Sequence, residues 1–138
     1  MAIGFNVEEI KYNFKDKLVR KGWLKEVIKD AGKKIGEINY IIVSDEYLLQ
    51  MNQQYLKHDT YTDIITFDYC EDNTVNGDMY ISIDRVRENA INFNVTEEHE
   101  LNRVLVHGLL HLLGQKDKTK SDALEMRRKE ELWLSKLQ

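Results

Sequence analysis

The chain has 138 residues, 42% of them hydrophobic and 32% charged, with 20 Lys and Arg against 24 Asp and Glu and a formal net charge of −4. A chain of this length supports one hydrophobic core with nothing left for a second, so residues 1–138 read as a single domain, and the composition excludes a disordered protein. The acidic balance excludes broad, non-specific attraction to nucleic acid while leaving room for a local basic patch.

The opening residues, MAIGFNVEEIKYNF, lack the basic segment and apolar stretch of a signal peptide. No apolar run approaches the ~20 residues of a bilayer span, so no membrane partner is expected and the expected location is the cytoplasm. Residues 17 to 31 carry Leu18, Val19, Leu24, Val27, Ile28 and Ala31 at spacings that predict an amphipathic helix, with Gly32 as its end. Ile38 to Val43, β-branched and aromatic between Gly36 and Ser44, predicts a strand. Ser44 then caps a helix through about Tyr55. Asp63 to Tyr69 and Asp78 to Ile83 read as further strands, joined by the acidic, glycine-containing stretch from Glu71 to Gly77. Asp84 is placed to cap the next helix, Thr96 starts another with Glu97 and Glu98 at its positive end, and a last helix runs from about Ser121 to Leu137. The single cysteine, Cys70, has no partner for a disulfide or a CxxC metal site and reads as a minor packing residue. With no proline, repeat or linker, the expected fold is α+β, a mixed sheet of about four strands covered by about five helices.

The chemistry concentrates on the helix from 97 to 113. Leu101, Val104, Leu105, Gly108, Leu109 and Leu112 form its apolar stripe, and Val106, Leu110 and Leu113 make the last turns apolar nearly all round. His107 and His111, four residues apart, share one side at the edge of that stripe, where two imidazoles are hard to satisfy without a metal or a hydrogen-bond network. Gly114 permits a turn that brings Asp117 back, giving HxxxHxxGxxD. Two imidazoles and a carboxylate suit one divalent ion, zinc by preference, with a fourth position open for water as in catalytic sites. An HxxxH pair alone is usually structural, and the glycine and aspartate separate this one from that background. His58 and His99 stand in polar surroundings and read as solvated, and Lys116, Lys118, Lys120, Arg127, Arg128 and Lys129 form a basic run able to meet phosphates.

The motif is similar to that of zinc proteases, HExxHxxGxx(H or D), but the position of their general base is Gly108, which neither accepts a proton nor orients water. His107, Gly108, Leu110, His111, Leu112 and Gly114 echo HGxLHLxGxDH, the signature of the YbeY family of ribosomal RNA maturation endoribonucleases. The resemblance extends to MNQQYLKHDTYTDIITF, similar to LNxxYRxxDxPTxVLSF, and to Gly77, Asp78, Met79, Tyr80 and Ile81, similar to GDIxI, covering roughly residues 38 to 131. It implies a mixed sheet with surrounding helices and a single-metal hydrolase acting on RNA in small-subunit ribosome maturation. Two positions depart: Asp117 stands where the family has its third histidine, and Leu56 where it has an arginine after Tyr55. Asp117 keeps a metal-binding group with added negative charge. Leu56 removes a cation suited to holding a phosphate, a role open to Lys57 or His58. Further expected substrate contacts are Thr62, Asp63, Lys116 and Lys118, and expected partners are ribosomal RNA and the small ribosomal subunit or its proteins. The alternatives are a non-enzymatic ribosome-assembly factor stapled by zinc and, third, a metalloprotease.

Overall fold

Alternation along two strands decides which side of the sheet carries the site. In the computed structural model, which describes residues 2–55 and 62–137, β2 (Lys34–Val43) turns Ile38, Tyr40 and Ile42 to one face and Ile41 and Val43 to the other. β4 (Thr74–Ser82) does the same with Val75, Met79 and Ile81 against Tyr80. β1 (Ala2–Val7) and β3 (Ile64–Asp68) complete a four-stranded sheet in the order β1-β2-β4-β3. The first two pairings are parallel and β3 pairs antiparallel to β4, so the sheet is mixed, as expected.

Among the described residues five helices cover it: α1 (Lys17–Asp30), α2 (Asp45–Tyr55), α3 (Ile83–Asn92), α4 (Glu97–Leu112) and α5 (Lys120–Lys136). The larger core joins the Ile38 face to Trp23, Leu24, Val27 and Ile28 of α1, to the stripe of α4, and to Met126 and Trp133 of α5. The other face packs Ile41, Val43 and Ile65 on Leu48 of α2. Tyr40 is fully buried and its hydroxyl donates to the Leu105 carbonyl at 2.8 Å, so the largest polar side chain under α4 is satisfied.

Several expectations shift. β1 lies within the opening residues, where too few alternating apolar positions announced it, and it gains its partners only from β2. β2 and β4 begin earlier than their apolar runs, at Lys34 and Thr74, because backbone pairing continues beyond the buried side chains. On α1, Leu18 and Val19 point to solvent, 83% and 53% exposed, and the buried face runs through Arg20, Trp23, Leu24, Val27 and Ile28. Arg20 takes a core position because Asn102 and Glu98 accept its guanidinium protons. Asp84 does not cap its own helix. Ser82 does so, its hydroxyl accepting from the Arg85 amide at 3.2 Å, while the Asp84 carboxylate accepts from the Asp45 amide at the start of α2 at 2.8 Å. Ser44 and Thr96 cap α2 and α4 as expected, and Thr119 rather than Ser121 opens α5.

Candidate metal centre

α4 runs under β3 and β4 with its apolar side to the sheet, and its last turns carry both histidines. The carboxylates Glu97, Glu98 and Glu100 lie at its positive end, and Thr96 satisfies the His99 amide. Gly108 lies against the sheet, where a Cβ would stand 2.6 Å from the Met79 sulfur and 2.7 Å from Ile64 Cδ1. The closeness of helix and sheet therefore depends on that glycine, and position 108 faces the core rather than the histidine side. Gly114 takes φ +98° just past the helix, a conformation that favours glycine, and the chain reverses so that Asp117 returns to the histidines.

The three side chains converge. Asp117 Oδ2 is 3.3 Å from His111 Nε2 and 3.4 Å from His107 Nε2, and one ligand atom from each residue lies within 4.8 Å of the others. Tetrahedral bonds of ~2.0–2.1 Å place neighbouring ligand atoms about 3.3 Å apart. Those separations suit donors around an ion better than direct hydrogen bonds. His107 Nδ1 lies 2.5 Å from Glu130 Oε2 on α5. A carboxylate only accepts, so Nδ1 carries the proton, and in the neutral ring Nε2 presents its lone pair to the side where Asp117 sits. Lone pairs converging on one point fit a cation, and the donor set of two imidazoles and one carboxylate could hold a divalent metal.

Behind the histidines lies a buried ionic network. Arg103 donates to both Glu100 oxygens at 3.0 and 2.6 Å, to Glu130 Oε1 at 3.3 Å, and stands 3.5 Å from Asp63. Burial alone would raise the Glu130 carboxyl, but the hydrogen bond from His107 and the charges of Arg103 and His107 outweigh it and hold the group below its ordinary range. Asp63 goes the other way, pushed up by burial despite Arg103 and His107. Asp63, Glu100 and Glu130 surround the Arg103 guanidinium, and Asp117 adds a further carboxylate beside His107, a concentration of negative charge that favours a dication there.

The pocket over the site, about 650 Å³, is lined by Thr62, Asp63, Ile64, Ile65, Thr66, Asp68, His107, His111, Leu112, Asp117 and Lys118. His107, His111 and Asp117 keep side-chain exposures of 18%, 32% and 35%, so all three open onto the pocket. Thr62, Asp63 and Lys118 border the pocket, whereas Lys116 is exposed and not part of its lining. Lys57, His58 and Leu56 lie outside the described residues. The basic run does not act as one patch: Arg127 and Arg128 pair with Glu130 and Glu125, and Lys129 donates to Gln115. His99 is exposed, and Cys70 packs half-buried at the core's edge. Sequence reasoning missed Glu130 and Arg103. The available signal was a charged residue in the Met126, Glu130, Trp133 stripe of α5, three positions at helical spacing that are all buried.

A mixed sheet backed by a HisxxxHis helix, with a carboxylate returned by a turn into an open pocket, is the arrangement of a hydrolase whose side chains could hold a metal ion. The family model for endoribonuclease YbeY matches residues 4–138, and the chain belongs to the YbeY family. A relative from Flavobacterium psychrophilum, named endoribonuclease YbeY, is 51% identical over 129 residues, covering 94% of this chain and 91% of its own. Another of that name from Porphyromonas gingivalis is 54% identical over 84% of this chain and 77% of its own. The solution structure of TM1509 from Thermotoga maritima superposes with a TM-score of 0.68 at 31% identity, covering 98% of this chain and 88% of that one.

Proposed function

We propose that residues 1–138 act as one YbeY-like domain, a zinc-dependent endoribonuclease that cuts single-stranded ribosomal RNA in maturing the 3′ end of the small-subunit RNA and in ribosome quality control. The observation that carries this reading is the convergence of His107, His111 and Asp117 in an open pocket, in a chain whose relatives are named endoribonucleases. The ribosomal substrate, the small subunit or its proteins as partners, and the cytoplasmic location follow from that family reading. Among the described residues no helix is long and apolar enough to cross a membrane.

His107 and His111 would hold the ion through Nε2 and Asp117 through its carboxylate. An ion held there would supply Lewis acidity to a phosphoryl oxygen and to the attacking water. Lys118 at the pocket wall brings positive charge to an incoming phosphate, and Thr62 offers a hydroxyl to a phosphate or ribose oxygen. Asp63 lines the same wall, where its carboxylate can accept a hydrogen bond from a substrate hydroxyl. Water adds to phosphorus, the bond to the departing ribose oxygen breaks, and that oxygen takes a proton.

Neither alternative gains support. The relatives are named as nucleases rather than assembly factors, and position 108, where the zinc proteases carry their base, is packed into the sheet. Purified protein assayed on structured and single-stranded RNA, with and without chelator, tests the proposal. Cleavage of single strands that chelation removes is the expected result. Cleavage unaffected by chelation, or by His111→Ala in a still-folded protein, would overturn it.

A further inference from the structure

We propose that Glu130 is the positioning residue of the metal centre: from α5 it fixes the His107 tautomer so that Nε2 is the ligand, and it makes ion binding depend on the docking of the last helix. This rests on the metal reading above and adds to it a residue outside the ligand set. Glu130 is 3% exposed and divides its two oxygens, Oε1 to Arg103 at 3.3 Å and Oε2 to His107 Nδ1 at 2.5 Å.

A purely structural ion pair does not account for that division. Glu100, itself buried, already engages Arg103 through both oxygens, so the guanidinium has a full carboxylate partner on its own helix, one turn away. A second buried carboxylate adds desolvation cost with little further gain from Arg103. Beside a long 3.8 Å pairing of Oε1 with the exposed Arg127, what it adds is the 2.5 Å contact of Oε2 to His107, 23 positions away in sequence. A ligating imidazole anchored through its other nitrogen by a carboxylate has its orientation set and its basicity raised. Arg103 in turn fixes the rotamer of Glu130, so Glu100, Arg103, Glu130 and His107 form one chain of contacts from the start of α4, through α5, to the ligand. His111 has no such anchor among the contacts described; its Nε2 faces Asp117. Among the described residues, His107 is thus the imidazole anchored through its second nitrogen.

The test uses the full chain as wild type, Glu130→Gln and Glu130→Leu. Zinc alone is titrated against a chromophoric chelator, with melting of the metal-free forms and 15N spectra of the histidine rings measured in parallel. Zinc affinity is expected to fall about 10-fold in Glu130→Gln, whose amide oxygen still accepts from Nδ1, and towards 100-fold in Glu130→Leu. The metal-free wild type is expected to show His107 protonated at Nδ1, and Glu130→Leu to lose that preference. A merely structural role would lower the melting temperature of the metal-free variants and leave the zinc affinity of the folded protein unchanged, which overturns the proposal. A wild-type His107 protonated at Nε2 overturns it without any variant, so a failure of either variant to fold does not protect it. Wild-type protein that binds no zinc overturns the metal reading as well, whereas equal affinity in all three proteins removes only Glu130.

Discussion

Gly108 lies so close to Met79 that a Cβ there would stand 2.6 Å from the thioether sulfur, and Met79 is fully buried with no solvent side to move into. The residue that distinguishes this motif from the zinc proteases is therefore also a packing requirement of α4 on the sheet. Gly108→Ala gains helix propensity yet overpacks the core, and a net loss of about 1–3 kcal/mol is expected in urea unfolding. An unchanged midpoint would mean that Met79 and Ile64 move aside freely. Gly108→Glu should lose more and gain no peptidase activity, since its side chain would enter the sheet.

Tyr40 makes the fold sensitive to alkali. Burial holds its phenol far above the ordinary value of 10.0. The native state therefore keeps a proton that the unfolded chain releases, and its contribution is complete below pH 10 and lost as pH rises above it. Stability should fall by up to about 1.4 kcal/mol per pH unit above that point from this group alone. Tyr40→Phe should be less stable at neutral pH, having left the Leu105 carbonyl without its donor, and should show a shallower alkaline slope. Equal slopes in the two proteins would assign the alkaline loss to other groups.

Asp84 belongs to the start of α2 rather than to its own helix. Asp84→Ala should cost about 0.5–2 kcal/mol, the usual value of a lost cap. Hydrogen exchange locates the effect: the Asp45 amide should exchange faster, while the Arg85 amide, held by the Ser82 hydroxyl, should keep its protection. Faster exchange at Arg85 alone would restore the simpler assignment.

Zinc should stabilise the chain by mass action, about 2.7 kcal/mol at a hundredfold excess over Kd. The shift in melting temperature should vanish in His111→Ala and in Asp117→Ala. It should persist in Asp117→His, which restores the histidine of the family signature and supplies a third imidazole from the same turn. A full zinc shift in Asp117→Ala would remove Asp117 from the ligand set.

Local pattern carried most of the elements and half of the site. The spacing of His107 and His111 is a property of helical geometry, and the alternation of β2 and β4 is a property of the pleat, so both are legible without a fold. The Gly114 turn and Asp117 were legible because they lie within one short segment, where the chain itself limits how far a ligand can stray. β1 was not, since a short edge strand is defined by the partner it finds, here β2 some thirty residues on. The outward turn of Leu18 and Val19 was decided by Arg20, whose burial depends on Glu98 and Asn102 of a distant helix.

The HisxxxHis pair proposed as ligands is thus a matter of residues within reach of each other along one helix and its turn. The tertiary structure alone decided what stands behind that pair. Glu130 reaches His107 only because Met126 and Trp133 bury the same stripe of α5 against the core, carrying a carboxylate across 23 positions to a 2.5 Å contact. Side-chain chemistry can be read from spacing, but the partner that fixes a proton on one ring nitrogen is set by the packing of elements far apart in the chain.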